Sequence, residues 1–449
     1  MLPLTPSQQI VWLHEELFPG SPAYNFTAVL DLTGPLDVDA LRRSMAAVLD
    51  RHAGLRLEVL DAEPAPAQRV RPRCEPRFRA VSLAGRPDAE RRFQDLLREH
   101  HDAPFTRTEA PLLRWTLVEL GTDRHRLLHT EHHLVHDGRS FAVMLRDLFG
   151  TYTGLAGGLA PALPHARSYE DYVRLLGEPG RSEHLRRAIA HWRRELTGAS
   201  LGAALPGLER AGGPRLELDG GQVRHLVDAE LTAGLSAAAR RHGHTVFSTL
   251  LCLFAELVRR LTGQGDLVVG TAVGNRPPGF ENTVGMFVNT IPLRLRLDET
   301  APAVEAVDEV TDVLLRCLPY QDTPVQDITR ALGLHTAGGV DNPLFQLMFS
   351  ANDARMPDID VPGLDVSLVA PFNSGTSRFD LDLVLLPEAE RRVGPRREEA
   401  GMTLIWDYAA DLFEHAEVGE LCAHFLGLVA AYVAAPSRPL GDLARGGGS

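Results

Sequence analysis

Apolar positions along the chain change period from stretch to stretch, and those periods define elements. Ile10, Leu13 and Leu17 fall on one helical face behind Thr5, Pro6 and Gln8. Those three supply a cap, a first helical residue and a capping-box partner. Phe26–Leu32 reads as a strand that stops at Gly34-Pro35, and Asp37 caps a helix with the stripe Leu41, Met45, Val48 and Leu49. Leu55–Leu60 predicts a further strand. Leu112–Leu120 and Arg126–His133 predict paired strands turning at Gly121-Thr122-Asp123, and Phe141–Phe149 a short amphipathic helix. Gly154–Ala166 reads as a surface connection and Glu183–Leu196 as a charged helix. The Gly- and Pro-containing stretch Leu201–Gly221 separates two halves.

The second half repeats the logic of the first. Strands are expected at Val223–Asp228, Leu267–Thr271, Asn289–Leu297, Leu344–Asn352, Phe379–Leu386 and Thr403–Tyr408, with helices at Thr232–His242 and Val246–Leu261. The shared order of strand, helix and strand predicts an α/β (α+β) chain of two related lobes. The charged segment Pro387–Ala400 is either a hairpin tip or a crossover to the other lobe.

Composition narrows the chemistry. With 46 basic and 59 acidic residues in 449, the net charge of −13 argues against a nucleic-acid partner. No apolar run reaches the roughly 20 residues that span a bilayer, so no membrane partner is expected. The apolar runs Val246–Val258 and Leu421–Ala435 read as core helices. Cys74, Cys252, Cys317 and Cys422 lie too far apart for a zinc or disulfide framework, which makes a cytoplasmic location the expectation. The chain has no lysine; all 46 basic residues are arginine. Schiff-base, pyridoxal phosphate and P-loop chemistry are therefore excluded.

The densest reactive cluster is His132-His133-Leu134-Val135-His136-Asp137-Gly138, between a predicted strand and helix. By alternation His129, Glu131 and His133 share one face, and Thr130 and His132 the other. Gly138 is expected to let the backbone turn sharply. Interior histidines, a metal site on His133, His136 and Asp137, and acid–base chemistry all remain open. No known zinc-hydrolase spacing is met.

The His-His-x-x-x-Asp-Gly pattern resembles the core motif of nonribosomal peptide synthetase condensation domains. Thr5–Leu13, Arg51–Arg56, Ser168–Tyr172, Val284–Thr290, Tyr320–Pro324 and Asn342–Gln346 resemble further motifs of that family, in family order. The resemblance implies a pseudo-dimer of two chloramphenicol-acetyltransferase-like lobes, residues 1–175 and 176–449. They would form a V around a central channel, with a floor loop at about 274–289 and a latch at about 387–400. It implies acyl transfer from a carrier-protein phosphopantetheine thioester to an amine or alcohol acceptor, itself carrier-bound or a free small molecule, with no cofactor or metal of the enzyme's own.

His133 matches the catalytic position, as general base or as a group that orients the nucleophile. His132, Asp137, Gly138, Arg276 and Asn352 match supporting positions. Asp137 and Arg276 are implied as a structural ion pair, Gly138 as keeping the channel clear, and Asn352 as a polar group facing the histidine. Arg139, Tyr320 and Val325-Gln326 depart from the usual pattern, on the acceptor side. With no adenylation or carrier motif, the expectation is a free-standing condensation enzyme or an excised domain, and Met1 directly before the first motif favours the former. The alternatives are a coenzyme A-dependent acyltransferase of similar fold and an inactive recruitment domain. The arginines from Arg69 to Arg92 are expected to be a solvated face, with a carrier-docking surface as the alternative.

Overall fold

Two six-stranded sheets organise the chain, and one of them takes strands from both halves of the sequence. A computed structural model describes all residues except 159–162, 179–180, 202–216, 335–341, 352–355, 358–359, 374, 388–391, 394–400 and 444–449. In the first half, β1 (Leu2–Pro3) and α1 (Pro6–Leu17) lead to β2 (Asn25–Thr33), α2 (Val38–Arg51), β3 (Leu57–Leu60), β4 (Ala67–Val70) and β5 (Phe78–Ser82). Then come α3 (Ala89–Asp102), β6 (Leu113–Gly121), β7 (Arg124–His132), α4 (Gly138–Ala156), α5 (Tyr169–Leu176) and α6 (Arg181–Leu196). The second half opens with β8 (Gly220–Val227), α7 (Ala229–Arg241), α8 (Val246–Thr262), β9 (Asp266–Val273), β10 (Asn289–Arg296), α9 (Ala303–Cys317) and α10 (Val325–Ala331). It ends with β11 (Leu347–Ala351), β12 (Asp365–Phe372), β13 (Leu381–Pro387), β14 (Arg392–Val393), β15 (Met402–Ala409) and α11 (His415–Ala434).

The first sheet has the order β14-β12-β2-β7-β6-β5 and the second β10-β9-β11-β13-β15-β8. β12 comes from the second half but pairs antiparallel with β2, Leu368 opposite Leu30. β14 lies in sequence between two strands of the second sheet, yet pairs with β12 in the first, Val393 opposite Val366. The chain between β13 and β15 thus leaves its own sheet, reaches the other and returns.

Local chemistry explains the element ends. Thr5 and Gln8 close a reciprocal capping box at 3.2 and 3.0 Å. Asp37 caps α2 through the Ala40 N–H at 2.9 Å. Three expectations need adjustment. Leu55 lies in the 3-10 turn Ala53–Arg56, so the strand there begins only at Leu57. α4 does not stop at Phe149, because its buried stripe continues through Tyr152 to Gly154, and the helix ends at Ala156. α11 starts at His415, making it long and apolar enough, by length and composition, to cross a membrane. Its Leu421, Phe425, Leu428 and Tyr432 are buried with Phe254 and Trp406 in the core of the second sheet, as a core helix requires.

Three apolar clusters position the site. One lies on the first sheet (Leu30, Met45, Trp115, Phe141) and one on the second (Phe254, Phe349, Trp406). The third joins the halves: Val11, Leu134, Val135 and Tyr169 pack with Phe280, Met286 and Phe287. Burying each such phenylalanine contributes about 1.5–3 kcal/mol, which seats the 274–289 segment against the motif turn.

Candidate active site

β7 stops at His132, and His133–Val135 form a single 3-10 turn. His132 caps it: its Nδ1 accepts the Leu134 N–H at 3.3 Å, leaving the proton on Nε2, which faces Glu15 Oε1 at 2.9 Å. From α1, Gln8 Nε2 donates to the Leu134 carbonyl at 2.9 Å, while Gln8 and Gln68 exchange amide hydrogen bonds at 3.1 and 2.9 Å. The chain then runs extended through His136 and Asp137. Gly138 is not among the positive-φ glycines; it is the exposed first residue of α4. The expected glycine turn is therefore corrected, because the 3-10 turn makes the bend.

The expected strand face needs correcting too. His129 and Glu131 share a face, but His133 lies past the strand end and leaves the alternation. Its ring is half-buried, with Nδ1 2.9 Å from the His136 carbonyl oxygen. A carbonyl only accepts, so Nδ1 carries the proton and Nε2 holds the lone pair. Among the described residues, Nε2 has no hydrogen-bond partner. Burial, then the charges of Arg378 and His136, draw the His133 pKa down to about 3. The imidazole is therefore neutral at neutral pH. Tyr24 stands edge-on to it, ring centres 6.0 Å apart.

Behind His133 lies a buried carboxylate that the sequence only hinted at. Glu131 Oε1 is 2.5 Å from His136 Nδ1 and 3.1 Å from His129 Nε2. These are close contacts rather than well-aligned hydrogen bonds. Burial opposes the Glu131 charge, but His136 and His129 outweigh it and hold the carboxyl well below its usual range. His136 also stacks on Phe26 at 4.7 Å. So the carbonyl that grips His133 belongs to a residue fixed on two sides.

Asp137 points the other way. Its Oδ1 accepts from Ser140 N at 2.8 Å and from Arg276 Nη2 at 2.9 Å; Oδ2 accepts from Phe287 N at 2.9 Å. Arg276 also donates to the Phe280 and Thr283 carbonyls and lies over the Phe287 ring at 3.9 Å. Ser140, which the sequence did not single out, accepts the Gly285 N–H and donates to the Gly285 carbonyl. Asp137 therefore ties the motif turn to the 274–289 segment. Among the described residues no group of three His, Cys, Asp or Glu side chains is placed to hold a metal. Asn352 lies outside the described residues.

The arginine-rich stretch pairs with carboxylates from elsewhere in the chain and with its own Asp88. Arg69 and Arg71 face Glu58, Arg77 faces Glu109, Arg79 faces Glu99, and Arg86, Arg91 and Arg92 surround Asp88. Most arginines of the stretch therefore face a carboxylate.

These sheets and this turn place the chain in a class: mixed α/β proteins of the chloramphenicol-acetyltransferase-like fold. The first condensation domain of the CDA synthetase superposes with a TM-score of 0.83 over 98% of both chains, at 23% identity. The X-domain from teicoplanin biosynthesis does so with 0.80 over 98% of this chain and 97% of its own, at 26% identity. A family model described as condensation domain matches residues 1–445. Malpinin synthetase of Mortierella alpina is 29% identical over 93% of this chain, which spans only 5% of that synthetase's length. Phosphinothricin tripeptide synthetase of Streptomyces viridochromogenes is 30% identical over 97% of this chain, which spans 39% of its length. The chain belongs to the condensation domain family, whose members are acyltransferase-type enzymes of nonribosomal peptide synthesis.

Proposed function

We propose that this chain transfers an acyl group from the phosphopantetheine thioester of a carrier protein to an amine or alcohol, forming an amide or ester. The observation that carries this reading is the His133 Nε2 lone pair, unpartnered among the described residues, on a ring fixed through Nδ1. An attacking N–H or O–H would donate to that lone pair. With its pKa drawn down to about 3, the ring is a weak proton store. It serves the nucleophile by orienting it and drawing on its hydrogen as the C–N or C–O bond forms. The thioester is already activated, so no serine or cysteine nucleophile is needed.

The same proposal assigns lobes 1–175 and 176–449 to the arms of a V whose central channel brings donor and acceptor to His133. Residues 274–289 would be its floor loop and 387–400 its latch. The apolar cluster that joins Leu134 to Phe287 and the pairing of β14 with β12 support the last two. We place the enzyme in the cytoplasm, which suits four free cysteines. The test offers the purified chain an acyl-carrier protein and the same acyl group on coenzyme A, each with a mixture of amine and alcohol acceptors. Preference for the carrier supports the proposal. Equal or faster use of acyl-coenzyme A identifies a coenzyme A-dependent acyltransferase instead. No transfer from either would point to an inactive recruitment domain.

A further inference from the structure

Three polar side chains behind the motif turn lie buried among aromatic rings. His129 and Glu131 come from the inward face of β7, and His136 from the turn itself. Trp115 and Phe141 flank His129, with ring centres 5.7 and 5.4 Å away. Phe26 stacks on His136 at 4.7 Å and meets Phe141 edge-on at 5.2 Å. Burying polar groups among such rings costs free energy that apolar side chains of like volume would avoid. The core of this sheet is already packed by Leu30, Met45, Trp115 and Phe141. The polar group therefore serves something other than packing.

What it holds is one peptide unit. Glu131 Oε1 lies 2.5 Å from His136 Nδ1 and 3.1 Å from His129 Nε2. Two facing lone pairs repel at the shorter distance, so His136 Nδ1 keeps its proton there. The His136 ring is thus set by Glu131 at its edge and by Phe26 on its face. The backbone is extended at His136 and at Asp137, whose carboxylate is held by Ser140, Arg276 and Phe287. The peptide joining residues 136 and 137 is gripped through the side chain at each end. Its carbonyl is the one that accepts from His133 Nδ1 at 2.9 Å. The His136 N–H completes the link by donating to the His133 carbonyl at 3.4 Å.

We infer that Glu131 and His136 are positioning residues for acyl transfer. They set the His136 carbonyl so that His133 keeps its proton on Nδ1 and its Nε2 lone pair in one fixed direction. A carboxylate bonded directly to the imidazole would stabilise an imidazolium and favour proton storage. Here the carboxylate stands one residue back, and a neutral carbonyl fixes the tautomer in its place. The assignment rests on His133 being the transfer point.

The test is NMR of the histidine ring nitrogens in the full chain, with the His133 signals identified by their loss in His133→Gln. Steady-state transfer from an acylated carrier protein is measured beside it. Glu131→Gln keeps an oxygen to face His136 Nδ1. The double variant Glu131→Gln, His136→Phe keeps the ring volume and the stack on Phe26, removes that donor, and buries no unpaired charge. His133 should show the Nδ1–H tautomer alone in the parent and in Glu131→Gln, and both tautomers in the double variant. The kcat should fall in the order parent, Glu131→Gln, double variant, the last by at least about tenfold, with the donor KM changed by less than about twofold. Phe26→Leu, at a half-buried position, withdraws the stack and should also mix the tautomers, so the test stays decisive if the double variant does not fold. A lone Nδ1–H tautomer in every variant overturns the assignment, as does a double variant with the parent's kcat. The ring signals need no substrate. A parent that transfers nothing but shows the expected tautomers would therefore refute acyl transfer while leaving the positioning of His133 intact.

Discussion

At the scale of single residues, two neighbours on one turn have opposite duties. Among the described residues the His133 Nε2 lone pair has no partner, whereas every oxygen of Asp137 is engaged. His133→Ala should therefore lower acyl transfer by about 10²–10⁴ while leaving the urea unfolding midpoint near that of the parent. Asp137→Ala should lower stability by about 3–5 kcal/mol, because it strands Arg276 in a buried site. Urea titration of both variants checks the contrast, and a fully stable Asp137→Ala chain would refute it. The pH profile gives a further test. With its pKa near 3, His133 stays neutral from pH 5 to 8 and adds no inflection there. A fall in rate on acidification with a midpoint near 6.5 that disappears in His133→Gln would assign His133 an ordinary titration and contradict the geometry.

At the scale of elements, the structure shows which readings were accessible from pattern. The strands and helices around the motif were legible because their stripes are local, and the capping box at Thr5 and Gln8 is a spacing rule. The hydrogen bond from Gln8 to the Leu134 carbonyl was not legible, because it joins α1 to a distant turn. β12 escaped for a similar reason. Its pairing with β2 is interrupted by a register shift between Leu368 and Ala370, which spoils strict alternation. Tyr24 and Arg378 carried no local signal at all; only the fold brings them beside His133. The 274–289 segment makes its own prediction. A Cβ on Gly285 would lie 2.1 Å from the Tyr169 ring, so Gly285→Ala should cost about 1–3 kcal/mol by overpacking. A shift of the thermal midpoint checks this. Reversing Arg77 and Arg79 to glutamate should leave the carrier's KM unchanged, because Glu109 and Glu99 already neutralise them.

For the molecule as a whole, the buried histidines set the response to acid. His100 and His101 are 3% and 2% exposed and lie in a buried chain with Thr130 and Thr27. Burial draws their pKa values down to about 2 and about 4. Unfolded, each titrates near 6.5, so the unfolded chain binds more protons as pH falls below that value. Stability is then lost on acidification from about pH 6.5 towards 4, by up to about 1.4 kcal/mol per pH unit for each ring. Asp382 runs the other way. Its folded pKa is raised to about 7, so its contribution is present in acid and lost as pH rises through 7. The histidines outnumber it below pH 6, and the thermal midpoint should be lower at pH 5 than at pH 7. Asp382→Asn should gain stability at pH 8 relative to the parent, and that gain should shrink at pH 5 and vanish only below about pH 4, the ordinary aspartate value.

The central claim is that a thioester changes hands at His133. The most direct measurement follows the intact mass of an acylated carrier protein mixed with the chain and a pool of amine and alcohol acceptors. The parent should unload the carrier and release an amide or ester, and His133→Ala, equally folded, should leave the carrier loaded. Unloading at the same rate by both proteins would contradict the account.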